Sequence, residues 1–263
     1  MTSIITAVVL GSRDYKDYDR FYDLYTKERG KVMVFGKGTR KFQSKLAAHM
    51  QPFAELTCMV AHGKLWLRLA GVERRRDFPG VRRDLQTLGL GLGLNELLRV
   101  GVGSGESDAS LYAFLLDAYA WVDALSPPSR HRTAFIHSAI TLKWLILLGV
   151  GPHCDACVIC HCELERVVQP HISVMHGGLV CTKCVQQDRP RFADARRVSH
   201  ELVSALRFLA MAPFDVLLSR SFEPLLNDLA VVQDQFVTYH LERELNTTAF
   251  IYDLNDQPIA ELA

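Results

Sequence analysis

Apolar and polar positions change their period partway along this chain. Over the first 80 residues they fall into short runs. Ile4–Leu10 is apolar and rich in β-branched residues, the pattern of a strand with little polar surface. Lys31–Gly36 follows Gly30. Phe53–Ala61 and Lys64–Ala70 flank His62-Gly63, which reads as a tight hairpin turn. Leu65, Leu67 and Leu69 alternate with Trp66, Arg68 and Ala70, as in a half-buried strand. Asp19–Lys27 is ambiguous, because Phe21, Leu24 and Tyr25 also fit a helical face. Several short strands in succession predict a small barrel or sandwich.

From about residue 79 the period becomes helical. Arg82–Leu98 has helical spacing, weakened by Gly89, Gly91 and Gly93. Asp108–Leu125 places Leu111, Phe114, Leu115, Tyr119 and Val122 on one face, with Ser107 or Ser110 as candidate caps. Ser126-Pro127-Pro128-Ser129 breaks the pattern. His131–Leu148 is the next helix, closed by Gly149 and Gly151-Pro152. Further helices are expected at about 194–211 and 222–243, separated by Ala212-Pro213. The expected plan is α+β: a β domain over residues 1–80, then a mostly helical domain over 81–263 interrupted by a cysteine-rich insert at 152–190.

The 263 residues are 49% hydrophobic and 22% charged, which suits a packed core and argues against bulk disorder. Ile4–Leu10 lacks a preceding basic region and reads as a strand rather than a signal peptide. Ala134–Val150 contains His137 and Lys143 and falls short of the roughly 18–20 apolar residues of a membrane span. A cytoplasmic location is expected.

Net charge is only +1, but it is polarised. Residues 1–83 hold 17 Lys and Arg against 8 Asp and Glu, while the other 180 residues hold 13 against 21. A basic head of net +9 on an acidic body of net −8 points to a polyanion partner; contact between the two halves is the alternative. The candidate DNA-binding cations are Arg13, Lys27, Arg29, Lys31, Lys37, Arg40, Lys41 and Lys45, joined by Arg74, Arg75 and Arg76. Lys16 and Arg20 add charge, and Tyr15, Tyr18, Tyr22, Tyr25, Phe35 and Phe42 are interleaved. Cations neutralise phosphates and flat rings stack on bases, although most such rings belong to cores. Lys37, Arg40 and Lys41 surround Gly38 and are expected in an exposed loop. Arg74–Arg76 with Arg82-Arg83 extend the DNA path or form a solvated linker.

Six of the seven cysteines lie between 154 and 184, a crowding that favours metal over disulfides in a cytoplasmic chain. Two Cys-x2-Cys pairs, Cys157/Cys160 and Cys181/Cys184, are separated by 20 residues. Two such knuckles facing one ion make the S4 tetrahedron of structural Zn2+, one per chain, with metal–sulfur arms of about 2.3 Å. Cys154 and Cys162, and His153, His161, His171 and His176, compete as ligands. Four thiolates argue against a catalytic zinc, which keeps an open position. The glycines at 101–105 and Lys37-Gly38-Thr39-Arg40 match neither a dinucleotide nor a P-loop signature. No catalytic set is apparent, and the chain is expected not to be an enzyme.

With these features in order, the chain resembles the RecO family of bacterial recombination mediators. The likeness runs through the opening strand, Thr26–Lys31, Lys37–Lys41, Leu46-Ala47 and Gln51-Pro52-Phe53. It continues through Pro152, Asp155, Cys157, Cys160, Gly177-Gly178, Cys181 and Cys184, and ends at Phe236–Leu241. Departures fall at Lys16-Asp17-Tyr18, at His161 and at the additional Cys154 and Cys162. The resemblance implies an OB-fold, a helical domain and a zinc-binding insert. It implies binding of single- and double-stranded DNA, strand annealing and loading of recombinase onto strands coated by single-strand binding protein (SSB). Implied partners are RecR and the acidic SSB tail, with the nucleoid as the site of action. Lys143, Arg197 and Arg207 are candidate tail contacts. The rival reading is a zinc-ribbon RNA- or transcription-associated factor.

Overall fold

The computed structural model describes residues 1–163, 165 and 167–256. Two compact units emerge, Met1–Pro128 and Ser129–Ala263.

The first unit is built on five strands: β1 (Thr2–Tyr15), β2 (Asp19–Thr26), β3 (Gly30–Gly36), β4 (Ala54–His62) and β5 (Leu67–Asp77). They close a barrel in the order β1-β2-β3-β5-β4, the strand order of an OB-fold. Antiparallel pairing accounts for every seam except β3 with β5, which run parallel through Val34–Leu67 and Phe35–Arg68. Period-two alternation fills the interior with Ile5, Ala7, Val9, Tyr22, Leu24, Val34, Leu56, Cys58 and Val60. A register shift between Val9 and Gly11 bends β1 so that it pairs with both β2 and β4. Asp19–Thr26 resolves as a strand because both its edges are paired. β5 is longer than expected and contains Arg74, Arg75 and Arg76, which therefore sit in a strand and not in a linker. The connection from β4 is a loop closed by Gly63 N–H on the Trp66 carbonyl at 3.0 Å, wider than a two-residue hairpin turn at His62-Gly63.

A short helix α1 (Lys45–His49) precedes β4. After β5 come α2 (Leu85–Gly101) and α3 (Ala109–Ala124). Asp84 caps α2, and Asp108 caps α3 through the Ser110 and Leu111 N–H groups, in place of the serines expected there. Gly91 of α2 has a packing reason: a Cβ there would lie 2.4 Å from Val81 and 2.8 Å from Phe53. Asn95 of α2 is buried yet satisfied, accepting from Tyr119 and facing the Val9 carbonyl at 3.5 Å.

The second unit is organised around α4 (Arg130–Leu147), capped by Ser129 and buried at twelve positions between Thr133 and Leu145. α6 (His200–Met211), α8 (Leu226–Leu241) and α9 (Asn246–Asp256) pack against it. Being covered on several sides explains why the α4 sequence is apolar almost all round. Among the described residues no helix is long and apolar enough to cross a membrane. The insert between α4 and α6 forms a three-stranded sheet, β7-β6-β8, from β6 (Pro170–Ser173), β7 (Gly178–Cys181) and β8 (Arg196–Arg197), with α5 (Thr182–Gln187) between β7 and β8. The helix expected from about 194 therefore starts at His200, after a strand. A four-residue helix α7 (Phe214–Leu217) lies between α6 and α8.

Gly91→Ala should lower the unfolding free energy by about 1–3 kcal/mol in urea titration, because overpacking against Phe53 and Val81 exceeds the helix-propensity gain of about 1 kcal/mol. An unchanged or raised midpoint would contradict the close approach of α2 to these side chains.

Candidate nucleic-acid interface and metal centre

The basic residues of the barrel separate into groups. The β1–β2 turn carries Lys16, where φ is +53°, and the segment between β3 and α1 carries Lys37, Arg40 and Lys41. Backbone contacts tie the two: Gly38 N–H donates to Asp19 at 2.7 Å and Arg40 N–H to the Tyr18 carbonyl at 2.9 Å. Lys37, Arg40 and Lys41 are exposed. The Arg40 side chain is held by the Lys16 carbonyl at 3.1 Å and Asp14 at 3.2 Å, and Lys41 lies over the Tyr18 ring at 5.4 Å. Lys45, also exposed, opens α1.

Beside this group, Tyr15, Phe21, Phe35 and Trp66 form one aromatic cluster with ring centroids 5.0–6.3 Å apart. The register explains it. Arg13, Phe21, Phe35 and Arg68 are successive cross-strand partners on β1, β2, β3 and β5, so they share a face. That face is opposite the interior set of Tyr22, Leu24 and Val34. Arg13 lies over the Phe21 ring at 5.4 Å and Lys16 over the Tyr15 ring at 5.4 Å. Sequence reasoning passed over Phe21, Trp66 and Arg68. The outward half of the Trp66-Arg68 alternation was the available signal. Of the interleaved rings, Tyr22 and Tyr25 are buried, Tyr25 stacking on Tyr112 of α3, whereas Tyr18 and Phe42 are exposed.

Lys27, Arg29 and Lys31 lie at the other end of β2, around the β2–β3 turn. Lys31 donates to the Arg99 carbonyl at 2.7 Å, and Arg29 reaches Ser3 at 3.4 Å. Arg74 pairs with Asp77 at 2.9 Å, Arg75 faces Glu55 at 4.0 Å, and Arg76 covers the Phe78 ring. Acidic partners thus offset part of the charge on β5. Arg83 is spent on the Leu125 and Asp123 carbonyls.

In the second unit the cysteines converge. The first knuckle is pinned to β7: Val158 N–H donates to the Leu179 carbonyl and Leu179 N–H to that of His153. A Cβ at Gly178 would meet the His153 carbonyl oxygen at 2.3 Å, so glycine permits the approach. The Sγ atoms of Cys157, Cys160, Cys162 and Cys181 all lie within 4.8 Å of one another, a grouping that can hold a metal ion. Cys184 adds a fifth sulfur, 3.9 Å from Cys157, and Cys160 is 3.6 Å from Cys181. A tetrahedron with arms of about 2.3 Å has edges near 3.8 Å, so these separations fit an S4 cage before any adjustment. The Cys162 backbone N–H and thiol beside Cys160 hold its thiol down at about 6, while burial pushes Cys162 up to about 12. Cys154, buried and outside this sulfur group, is likewise pushed up to about 12 by desolvation. Sequence spacing paired 157/160 with 181/184 and left Cys162 outside; the structure places Cys162 among the sulfurs.

The candidate tail contacts are otherwise engaged or open. Lys143 donates to the Ala210 and Ala212 carbonyls at the end of α6, and Arg207 pairs with Asp155 at 2.8 Å. Arg197 is exposed on β8. A hollow of about 350 Å³ lies elsewhere, lined by Phe135, Phe222 and Leu226 with Arg132, Arg220 and the His131–Glu223 pair at 3.7 Å.

Protein purified without added metal should carry about one zinc per chain, and Cys157→Ser, whose parent sulfur is fully buried, should carry none and melt at lower temperature. Undiminished metal in that variant would contradict the cage.

Residues 1–73 match the family described as "Recombination protein O N terminal" and residues 82–249 the family described as "Recombination protein O C terminal". The DNA repair protein RecO of Myxococcus xanthus is 31% identical over 93% of this chain and 95% of its own length. Those of Geobacter sulfurreducens and Desulforamulus reducens are 28% and 26% identical, each over 94% of this chain, and over 96% and 93% of their own lengths. With both halves matched, this chain belongs to the RecO family of DNA repair and recombination proteins.

Proposed function

We propose that the protein is a non-enzymatic mediator that binds single- and double-stranded DNA, anneals complementary strands and helps load recombinase onto SSB-coated single strands. The observation that carries this reading is the tethered loop pair of the barrel. Lys16, Lys37, Arg40 and Lys41 stand beside an outward aromatic cluster, in a chain that belongs to this family. Cations along a strand backbone release condensed counterions. Phe21 is buried and Tyr15, Phe35 and Trp66 are half-buried, so the latter three are the rings on which bases would stack, at about 1–3 kcal/mol per base. Annealing needs no covalent step: neutralised phosphates repel less, and stacked bases stay open to pairing.

Residues 1–80 are the DNA-binding domain in this reading and 81–263 the helical domain, with Arg13, Lys37, Arg40, Lys41 and Lys45 as the main contacts. Lys27, Arg29, Lys31 and Arg74–Arg76 serve as outlying ones. Cys157, Cys160, Cys181 and Cys184 hold a structural Zn2+ that clamps the insert at 152–190. Soft thiolate donors and the edge lengths near 3.8 Å support that ion. RecR and the acidic SSB tail are the protein partners, at the nucleoid in the cytoplasm. For the tail, a hollow of mixed lining, where Arg132 and Arg220 outnumber Glu223 beside Phe135, Phe222 and Leu226, has the complementary chemistry.

Replacing Lys37, Arg40 and Lys41 together with glutamine should weaken binding to all DNA sequences alike and reduce the slope of log affinity against log salt by about 2 to 3. Fluorescence anisotropy with single-stranded and duplex oligonucleotides measures both. Unchanged affinity and slope would refute this placement of the interface.

A further inference from the structure

We propose that Cys160 and Cys162 form a peroxide-modifiable pair on the metal centre, and that a hydroperoxide joining them as a disulfide expels the metal. The inference rests on the zinc reading above and goes beyond it. A tetrahedral cage uses four sulfurs, whereas five gather here: four within 4.8 Å of one another and Cys184 at 3.9 Å from Cys157. One thiol is therefore surplus whenever the cage is filled. Cys157, Cys181 and Cys184 are buried, Cys162 is half-buried and Cys160 is exposed. An oxidant arriving from solvent meets Cys160 first.

The backbone favours the 160–162 pairing. His161 between them adopts φ +58°, a left-handed bend that draws the flanking Cα atoms closer than an extended chain does, as a disulfide requires. The bend is fixed, because His161 N–H donates to the Cys157 carbonyl at 2.9 Å and Cys157 N–H to the Cys162 carbonyl at 2.9 Å. Cys154 shares none of this, since it lies outside the sulfur group.

The chemistry balances. The Cys160 sulfur attacks one peroxide oxygen, the O–O bond breaks and hydroxide leaves, giving a sulfenic acid. The Cys162 sulfur then attacks the Cys160 sulfur, an S–S bond forms and the S–O bond breaks. In the filled cage Cys160 is a thiolate, so its bond to the metal breaks as the sulfur is oxidised. The Cys162 thiol proton and one proton from solvent leave with the two oxygens, so one hydrogen peroxide becomes two waters and the sulfur pair loses two electrons. Cys157, Cys181 and Cys184 then remain, one ligand short of a closed cage.

The test uses the full-length zinc-loaded protein, hydrogen peroxide, a chromogenic zinc chelator and peptide mapping under non-reducing conditions. Wild-type protein should release its zinc as a Cys160–Cys162 disulfide appears, and dithiothreitol with added zinc should restore both. Cys162→Ser should keep its zinc when purified and release it at least about tenfold more slowly. Equal release rates, or a wild-type disulfide that excludes Cys162, would overturn the proposal. So would a Cys162→Ser protein unable to hold zinc, since Cys162 would then be an obligatory ligand and not the surplus one. Wild-type protein without zinc would remove the metal centre itself, a different failure.

Discussion

Closure of the N-terminal sheet through the parallel seam between β3 and β5 is the constraint on which the candidate interface depends. Two residue pairs make that seam, Val34–Leu67 and Phe35–Arg68. They bring Trp66 and Arg68 beside strands that are distant in sequence. Without the seam, the aromatic cluster would lose Trp66 and the cross-strand row would end at Phe35. Closure also removes the free edges of the sheet, while the antiparallel pairing of β1, β2 and β3 puts the β1–β2 turn and the β3-to-α1 segment at the same end of β2. There, Gly38 to Asp19 and Arg40 to Tyr18 lock them together. A mobile loop of cations would lose conformational entropy on meeting DNA, and a pre-tied one loses less.

The second unit solves a different problem. Three short strands and a six-residue helix bury too little apolar surface to fold alone. Converging thiolates that can hold a metal ion would supply the missing cohesion. The knuckle carrying Cys157 and Cys160 hangs on β7 through Val158 and His153, so sheet register and cage geometry hold one another. This coupling makes the additional sulfur at Cys162 consequential, because five sulfurs gather where a tetrahedron takes four.

Much of this was legible in the sequence where the cause is local. The Cys-x2-Cys spacing dictates a knuckle, and Ser126-Pro127-Pro128-Ser129 breaks the chain between two helices. Alternation over Leu67–Ala70 shows which side of β5 faces out, although Leu65, expected in the same strand, is exposed in the preceding loop. What escaped depends on tertiary partners. Asp19–Thr26 fits two periods until pairing on both edges decides it. Gly89, Gly91 and Gly93 lower helix propensity, yet α2 approaches Phe53 because Gly91 lacks a Cβ. Arg74–Arg76 look like solvated charge but occupy β5 beside Glu55 and Asp77. Cys162 joins the sulfur group only because His161 turns left-handed, a conformation that nothing in the spacing announces. Likewise Tyr22 and Tyr25 read as stacking candidates until the barrel interior and Tyr112 claim them.

The central claim is that the cationic end of the barrel grips phosphates. The most direct measurement is the affinity of the full-length wild-type protein for a labelled single-stranded oligonucleotide across a salt series beginning at low ionic strength. The account predicts tight binding at the lowest salt and a linear fall of log affinity with log salt, with a slope of about −0.7 per phosphate contacted. Folded protein that ignores the oligonucleotide even at the lowest salt would contradict it.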